Sequence, residues 1–104
     1  NGINLAFLLN VRGAESSGDE KVADYVLANR VRKRVVSICR DIIKDEFENR
    51  GDKYWIWASL EEAYFGLGEN SLYKEAEKEA IMLKPASWAR ETTVHQIEKL
   101  QKLL

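Results

Sequence analysis

Hydrophobic residues recur along the chain at the three- and four-residue steps of amphipathic helices. This periodicity divides the chain into five segments. The second segment has the longest continuous apolar stripe, from Val22 to Ile43. The first segment is apolar nearly all round, so we expect it to be buried on more than one face. The predicted helices cover about residues 3–12, 17–48, 53–67, 70–83 and 87–104.

Residues that start or stop helices lie between these segments. Ser17 and Glu20 have the spacing of a capping box, which predicts the start of the second helix. Asp52 is placed to cap the third helix, and Asn70 or Ser71 the fourth. The predicted helix ends are marked by Gly13, the Arg50-Gly51-Asp52 interruption, Gly66, Gly68 and Pro85.

Composition fits one ordered helical domain. The 104 residues include 45% hydrophobic and 32% charged residues, with six glycines and one proline, which excludes disorder and disfavours a β-meander. No apolar run is long enough to cross a membrane. The lone Cys39 forms no internal disulfide, so we expect a reducing, cytoplasmic location. Because the first residue is Asn1 rather than Met, we expect a segment of a larger protein.

The second half resembles a tetratricopeptide repeat, a helix-turn-helix unit of about 34 residues. The matching positions are Trp57, Leu60, Tyr64, Gly68, Ala80 and Pro85. Three positions depart from the pattern: Glu61 replaces a small residue, Tyr73 an alanine and Glu77 an aromatic residue. These departures affect the expected packing within this helix pair.

The first two helices resemble a diverged copy of the same repeat. Superimposing the first helix on the third sets Asn4 over Trp57, Phe7 over Leu60 and Val11 over Tyr64. The fifth helix is polar where a third repeat would carry its Trp and Tyr, which suits a terminal capping helix. We therefore predict an all-α fold of two antiparallel helical hairpins, the first with a long second helix, and a C-terminal cap.

Residues 2–13 and 55–85 are also similar to the TRAFs-binding segment of apoptosis signal-regulating kinases and to related bacterial tetratricopeptide proteins. The resemblance lies in an opening Gly-Ile-Asn before an apolar helix, and in the run Trp57-Ala-Ser-Leu-Glu-Glu-Ala-Tyr-Phe-Gly-Leu-Gly68. It implies a regulatory, non-catalytic partner-binding region of a multidomain signalling protein.

Groups for catalysis are scarce. The single histidine, His95, has Glu98 one turn away, but no third group completes a triad. Cys39 falls in the apolar stripe of the second helix, as a buried structural cysteine does. No second cysteine or histidine completes a zinc site, and no glycine-rich phosphate loop occurs. We therefore expect no enzymatic activity, cofactor or metal.

One side of the third helix is the predicted partner-binding groove. It would present Trp55, Ala58, Glu62 and Phe65, joined from the first helix by Leu5, Leu9 and Arg12. Large aromatic side chains beside a cation and an anion are typical of binding hot spots. The alternative is that the second or fifth helix covers these side chains, which would make them core.

These observations predict an adaptor or scaffold domain that binds a protein segment or its own flanking domains. One alternative is homo-oligomerisation through the long second helix or the Leu100–Leu104 tail. Nucleic-acid or anionic-surface binding is less expected, because acidic residues follow the basic cluster and the net charge is −1. That cluster consists of Arg30, Arg32, Lys33, Arg34 and Arg40.

Overall fold

A computed structural model describes residues 2–104. This part of the chain is all-helical and contains no strand, which confirms the predicted fold class. A 3₁₀ turn, Phe47–Asn49, follows the second helix. The helices are α1 (Gly2–Glu15), α2 (Asp19–Asp45), α3 (Lys53–Leu67), α4 (Asn70–Met82) and α5 (Ser87–Leu103).

The first hairpin packs α1 closely along α2, and glycine makes the approach possible. Gly2 lies beside Val35, and Gly13 lies against the ring of Tyr25, where a Cβ atom would collide. The prediction that Gly13 ends the helix is wrong, because α1 continues to Glu15. Gly13 instead makes room for an aromatic ring from the neighbouring helix.

The ends of α2 also differ from the predicted ones. The capping box prediction is wrong: α2 starts at Asp19 after Gly18, whose φ of 64° favours glycine, and no side-chain cap forms. The helix ends at Asp45, short of the predicted Glu48. Gly18 occupies the N-cap position that the sequence assigned to Ser17.

The second hairpin contains the main hydrophobic core. Trp57, Leu60 and Tyr64 of α3 pack against Ala76 and Ala80 of α4. Cys39 of α2 joins this cluster, so the stripe of the long helix is shared between both hairpins. Gly68 ends α3 in the left-handed conformation, as predicted.

Two predicted caps are absent. Asp52 occupies the N-cap position of α3, but its carboxylate accepts hydrogen bonds from Arg50 instead of capping the helix. The residue before α4 is Glu69, and it makes no side-chain cap. The sequence predicted that the Asp52 carboxylate would accept hydrogen bonds from the first amides of α3. The Arg50 guanidinium binds this carboxylate instead.

Helix α5 packs across α1 and α3. The Tyr54 hydroxyl of α3 lies 2.8 Å from Thr93 Oγ1, near the middle of α5. The Tyr25 hydroxyl of α2 donates a 2.6 Å hydrogen bond to the Leu103 carbonyl at the far end. These contacts hold α5 near its middle and at its C-terminal end, and Leu100 is completely buried.

A buried arginine joins α2 to α1 and α3. Arg32 is 1% exposed and donates hydrogen bonds to the side chains of Asn10 and Asn29. Gly66 lies in the last turn of α3, which ends at Leu67 as the sequence predicts. A Cβ atom at Gly66 would overlap the Arg32 side chain, so the glycine gives the guanidinium its space.

We expect Gly66→Ala to lower the free energy of unfolding by about 1–3 kcal/mol, as overpacking does. Alanine favours a helix over glycine by about 1 kcal/mol, so destabilisation would require the clash with Arg32 to exceed that gain. Urea denaturation of both proteins measures the difference. Gly51→Ala is the control, because no atom approaches that position. Equal or greater stability of Gly66→Ala would contradict the close approach.

Candidate partner-binding face

The predicted groove side of α3 is divided by α5. Trp55 lies at one end and is 40% exposed. Phe65 lies at the other end, half-buried, with its ring edge-on to Tyr73 at 5.4 Å. Between them Ala58 and Glu62 are buried. The continuous groove expected from the sequence is therefore two separate surfaces.

The α1 residues assigned to the groove have different environments. Leu5 is exposed, whereas Leu9 is buried with Ala6 and Ala28 in a second hydrophobic cluster. Arg12 is exposed and binds Asp24 of α2 with two hydrogen bonds of 2.9 and 2.6 Å. This pair holds the pKa of Asp24 below its usual range. Of Leu5, Leu9 and Arg12, only Leu5 presents an exposed apolar side chain.

Trp88 is a site residue that sequence reasoning missed. It lies in the first turn of α5, is 66% exposed, and its ring centroid is 6.1 Å from that of Trp55. Tyr54 adds an edge contact to Trp55 at 4.9 Å. The sequence signal that could have identified Trp88 is its position as a large aromatic residue outside the apolar stripe of its own helix. Two adjacent indoles thus remain accessible on this face.

A cleft of about 160 Å³ opens beside the Trp55 ring, between α1, α3 and α5. Ile3, Ala58 and Thr93 contribute to its walls. Polar groups also line it, and these are Asn4, Ser59, Glu62, Thr92 and Gln96. An aromatic side chain at the border and several polar groups inside are the usual composition of a binding site.

Glu62 is the charged group of this cleft. It is 4% exposed, and desolvation raises its pKa to about 7. Arg32 opposes this shift, and the neighbouring Glu61 adds to it. Within residues 2–104 the carboxylate accepts no hydrogen bond, and the residues of α1 and α5 that line the cleft are uncharged. The group is thus a buried acid with unused acceptor atoms.

Glu61, unlike Glu62, has a hydrogen-bond donor for each of its carboxylate oxygens. It is completely buried, and Arg90 of α5 donates hydrogen bonds of 2.8 and 2.7 Å to its two oxygens. These hydrogen bonds raise the pKa of Arg90. Arg90 also lies 3.9 Å from Glu77, which accepts a hydrogen bond from Tyr73. The three departures from the repeat pattern therefore meet in one polar cluster beneath α5.

The basic cluster of α2 is not one surface. Arg32 points into the core, while the Arg40 guanidinium contacts Tyr64 and stacks on the Trp57 ring. Arg30, Lys33 and Arg34 remain exposed. The cationic surface is thus smaller than the sequence suggested, which weakens the nucleic-acid alternative.

The other reactive groups do not form a site. Cys39 is buried, and desolvation raises the pKa of its thiol. The side chain of His95 is exposed on α5. Among the described residues, no group of histidine, cysteine and acidic side chains could hold a metal ion. The same part of the chain has no helix with the length and hydropathy to cross a bilayer.

Comparison with known proteins gives no assignment. No family model, curated protein or solved structure matches the chain.

Breaking the buried ion pair should be far more damaging than breaking a much less buried one. We expect Arg90→Leu to destabilise the fold by about 3–5 kcal/mol, because Glu61 is left charged and buried. The double variant Glu61→Leu/Arg90→Leu should recover most of that loss. Arg50→Leu removes an equally bidentate but much less buried pair with Asp52 and should change stability far less. Equal losses in chemical denaturation for Arg90→Leu and Arg50→Leu would refute this distinction.

Glu62 should make stability fall as the pH rises. Its folded-state pKa of about 7 lies above the ordinary 4.5, so the folded state holds the proton more tightly. The resulting stability is complete below pH 4.5 and is lost as the pH passes 7, by about 3 kcal/mol at most. Denaturation at pH 5 to 8 should show this decline in the native protein and in Glu20→Gln, an exposed control. Glu62→Gln should abolish it, and an unchanged slope would assign the effect elsewhere.

Proposed function

We propose that this helical domain is a non-catalytic protein-interaction module of a larger signalling protein, with tetratricopeptide-like hairpins. It binds a protein or peptide segment, or a flanking domain of its own chain. The observation that supports this most directly is the exposed Trp55–Trp88 pair beside a cleft between three helices. The lone free Cys39 suits a cytoplasmic location.

The energetics of tryptophan favour a binding role for this pair. Indole rings bury large apolar areas on contact and dominate interface hot spots. Leaving two of them exposed in one place is unfavourable unless a partner covers them. The polar groups inside the cleft can set the orientation of a bound segment. A catalytic role has less support, because the single thiol is buried and the single histidine is exposed on the surface of α5.

A second candidate, self-association, is favoured by one separate observation. Several large apolar side chains of α1 and α2 are exposed, namely Leu5, Leu8, Val22, Val26, Leu27 and Ile38. The tail suggested by the sequence is less suitable, because Leu100 is buried. Sedimentation velocity over a range of concentrations distinguishes the candidates. A concentration-independent monomer eliminates self-association.

The aromatic pair can be tested with peptides selected from a random displayed library. We expect Trp88→Ala and Trp55→Ala each to weaken binding of selected peptides by ~1 to 4 kcal/mol while the fold survives. Met82→Ala is the matched control, because Met82 is a similarly exposed apolar residue outside this face. Isothermal titration gives the affinities, and circular dichroism checks the fold. Unchanged affinity in both tryptophan variants, or unfolding of Trp88→Ala, would place the binding face elsewhere.

A further inference from the structure

The cleft beside Trp55 combines features that suit a positively charged side chain. The Trp55 ring lines this cleft, with the Trp88 ring next to it, and the faces of aromatic rings attract cations. Glu62 lines the same cleft with a carboxylate that accepts no hydrogen bond from residues 2–104. Ser59 and Gln96 add a hydroxyl oxygen and an amide oxygen that can accept hydrogen bonds.

We propose that this cleft binds a lysine side chain of the partner, with the ammonium group on Glu62 and the stem along Trp55, whose ring neighbours that of Trp88. The proposal rests on the interaction function above and specifies the chemistry of its site. An ammonium group has three donors and no acceptor, which matches a cleft whose lining offers a carboxylate, hydroxyls and an amide oxygen. Its apolar stem matches the indole surface of Trp55.

Charge complementarity selects a cation over an apolar or acidic occupant. A buried carboxylate without a hydrogen-bond donor is unfavourable, and the charge of Arg32 offsets its desolvation only in part. A donor entering from the cleft would supply the missing partner. Lysine suits this position better than arginine, because its compact head needs less width than a planar guanidinium with five donors.

The protonation of Glu62 supports the same assignment. With a pKa of about 7, the carboxylate is mostly neutral at pH 6 and mostly ionised at pH 8. The lysine ammonium remains charged throughout this range. Since only the ionised form attracts an ammonium strongly, the apparent affinity should rise about tenfold from pH 6 to pH 8. Arg32 and Glu61 are the charged groups that act on Glu62, and both are included in this balance.

The test compares two small probes that differ in charge. Nα-acetyl-lysine methylamide is titrated into the protein while the indole N–H signals are followed by NMR. Nα-acetyl-norleucine methylamide, which has the same stem without the charge, is titrated in parallel. We expect saturable shifts of the Trp55 and Trp88 signals with lysine and about tenfold weaker binding of norleucine. Lysine binding should also strengthen from pH 6 to pH 8.

Variants separate the charge from the aromatic surface. Glu62→Gln keeps the shape of the side chain and should abolish both the preference for lysine and the pH dependence. Glu20→Gln removes an exposed carboxylate on α2 and should change neither. Trp88→Ala removes a largely exposed ring, so it tests the aromatic contribution with little risk to the fold.

The outcomes distinguish the two proposals. Equal binding of lysine and norleucine that depends on Trp88 would overturn the lysine assignment while supporting an apolar protein-binding face. Lysine preference that persists in Glu62→Gln would also overturn it. No saturable shift with either probe overturns the lysine site, and the selected peptides then decide the interaction function independently.

Discussion

The fold depends on two consecutive buried glutamates in α3. Glu61 and Glu62 are both almost inaccessible, and each faces an arginine from a different neighbouring helix. Arg90 of α5 pairs fully with Glu61, whereas Arg32 of α2 acts on Glu62 through charge alone. Because removing one partner of a buried pair is far more costly than replacing both, the Glu61–Arg90 pair restricts where α5 can lie on α3. Because only Glu61 accepts hydrogen bonds from its arginine, Glu62 is the glutamate whose carboxylate oxygens can still accept a hydrogen bond.

Much of the helical architecture followed from the sequence, because apolar periodicity and strong stop signals act locally. The range of α3 and its glycine end at Gly68 agree with the structure. The errors concern positions where another helix determines the local role. Gly13 read as a helix end, yet it accommodates a side chain from α2, as Gly66 also does, and nothing in the local sequence reveals that approach. Asp52 read as a cap, but Arg50 occupies its carboxylate.

The candidate site was predictable in part for the same reason. Helical spacing placed Trp55 and Glu62 on one side of α3, and both line one cleft. The sequence left open whether the second or fifth helix covers that side, because the contacts of α5 join residues far apart in the chain. Trp88 approaches Trp55 only through this crossing. Glu61, Tyr73 and Glu77 weaken the repeat pattern, and in the structure they form the polar cluster with Arg90 that holds α5 there.

The crossing of α5 has a consequence for how the domain unfolds. In an open array each repeat touches only its neighbours, so a terminal unit can fray while the rest remains folded. Here α5 contacts α1 as well as α3, and the Tyr25 hydroxyl binds the carbonyl of Leu103. Detaching either end of the chain therefore disrupts contacts of the other end. Such closure favours a single cooperative transition, with slower folding because distant segments must meet before either is stable.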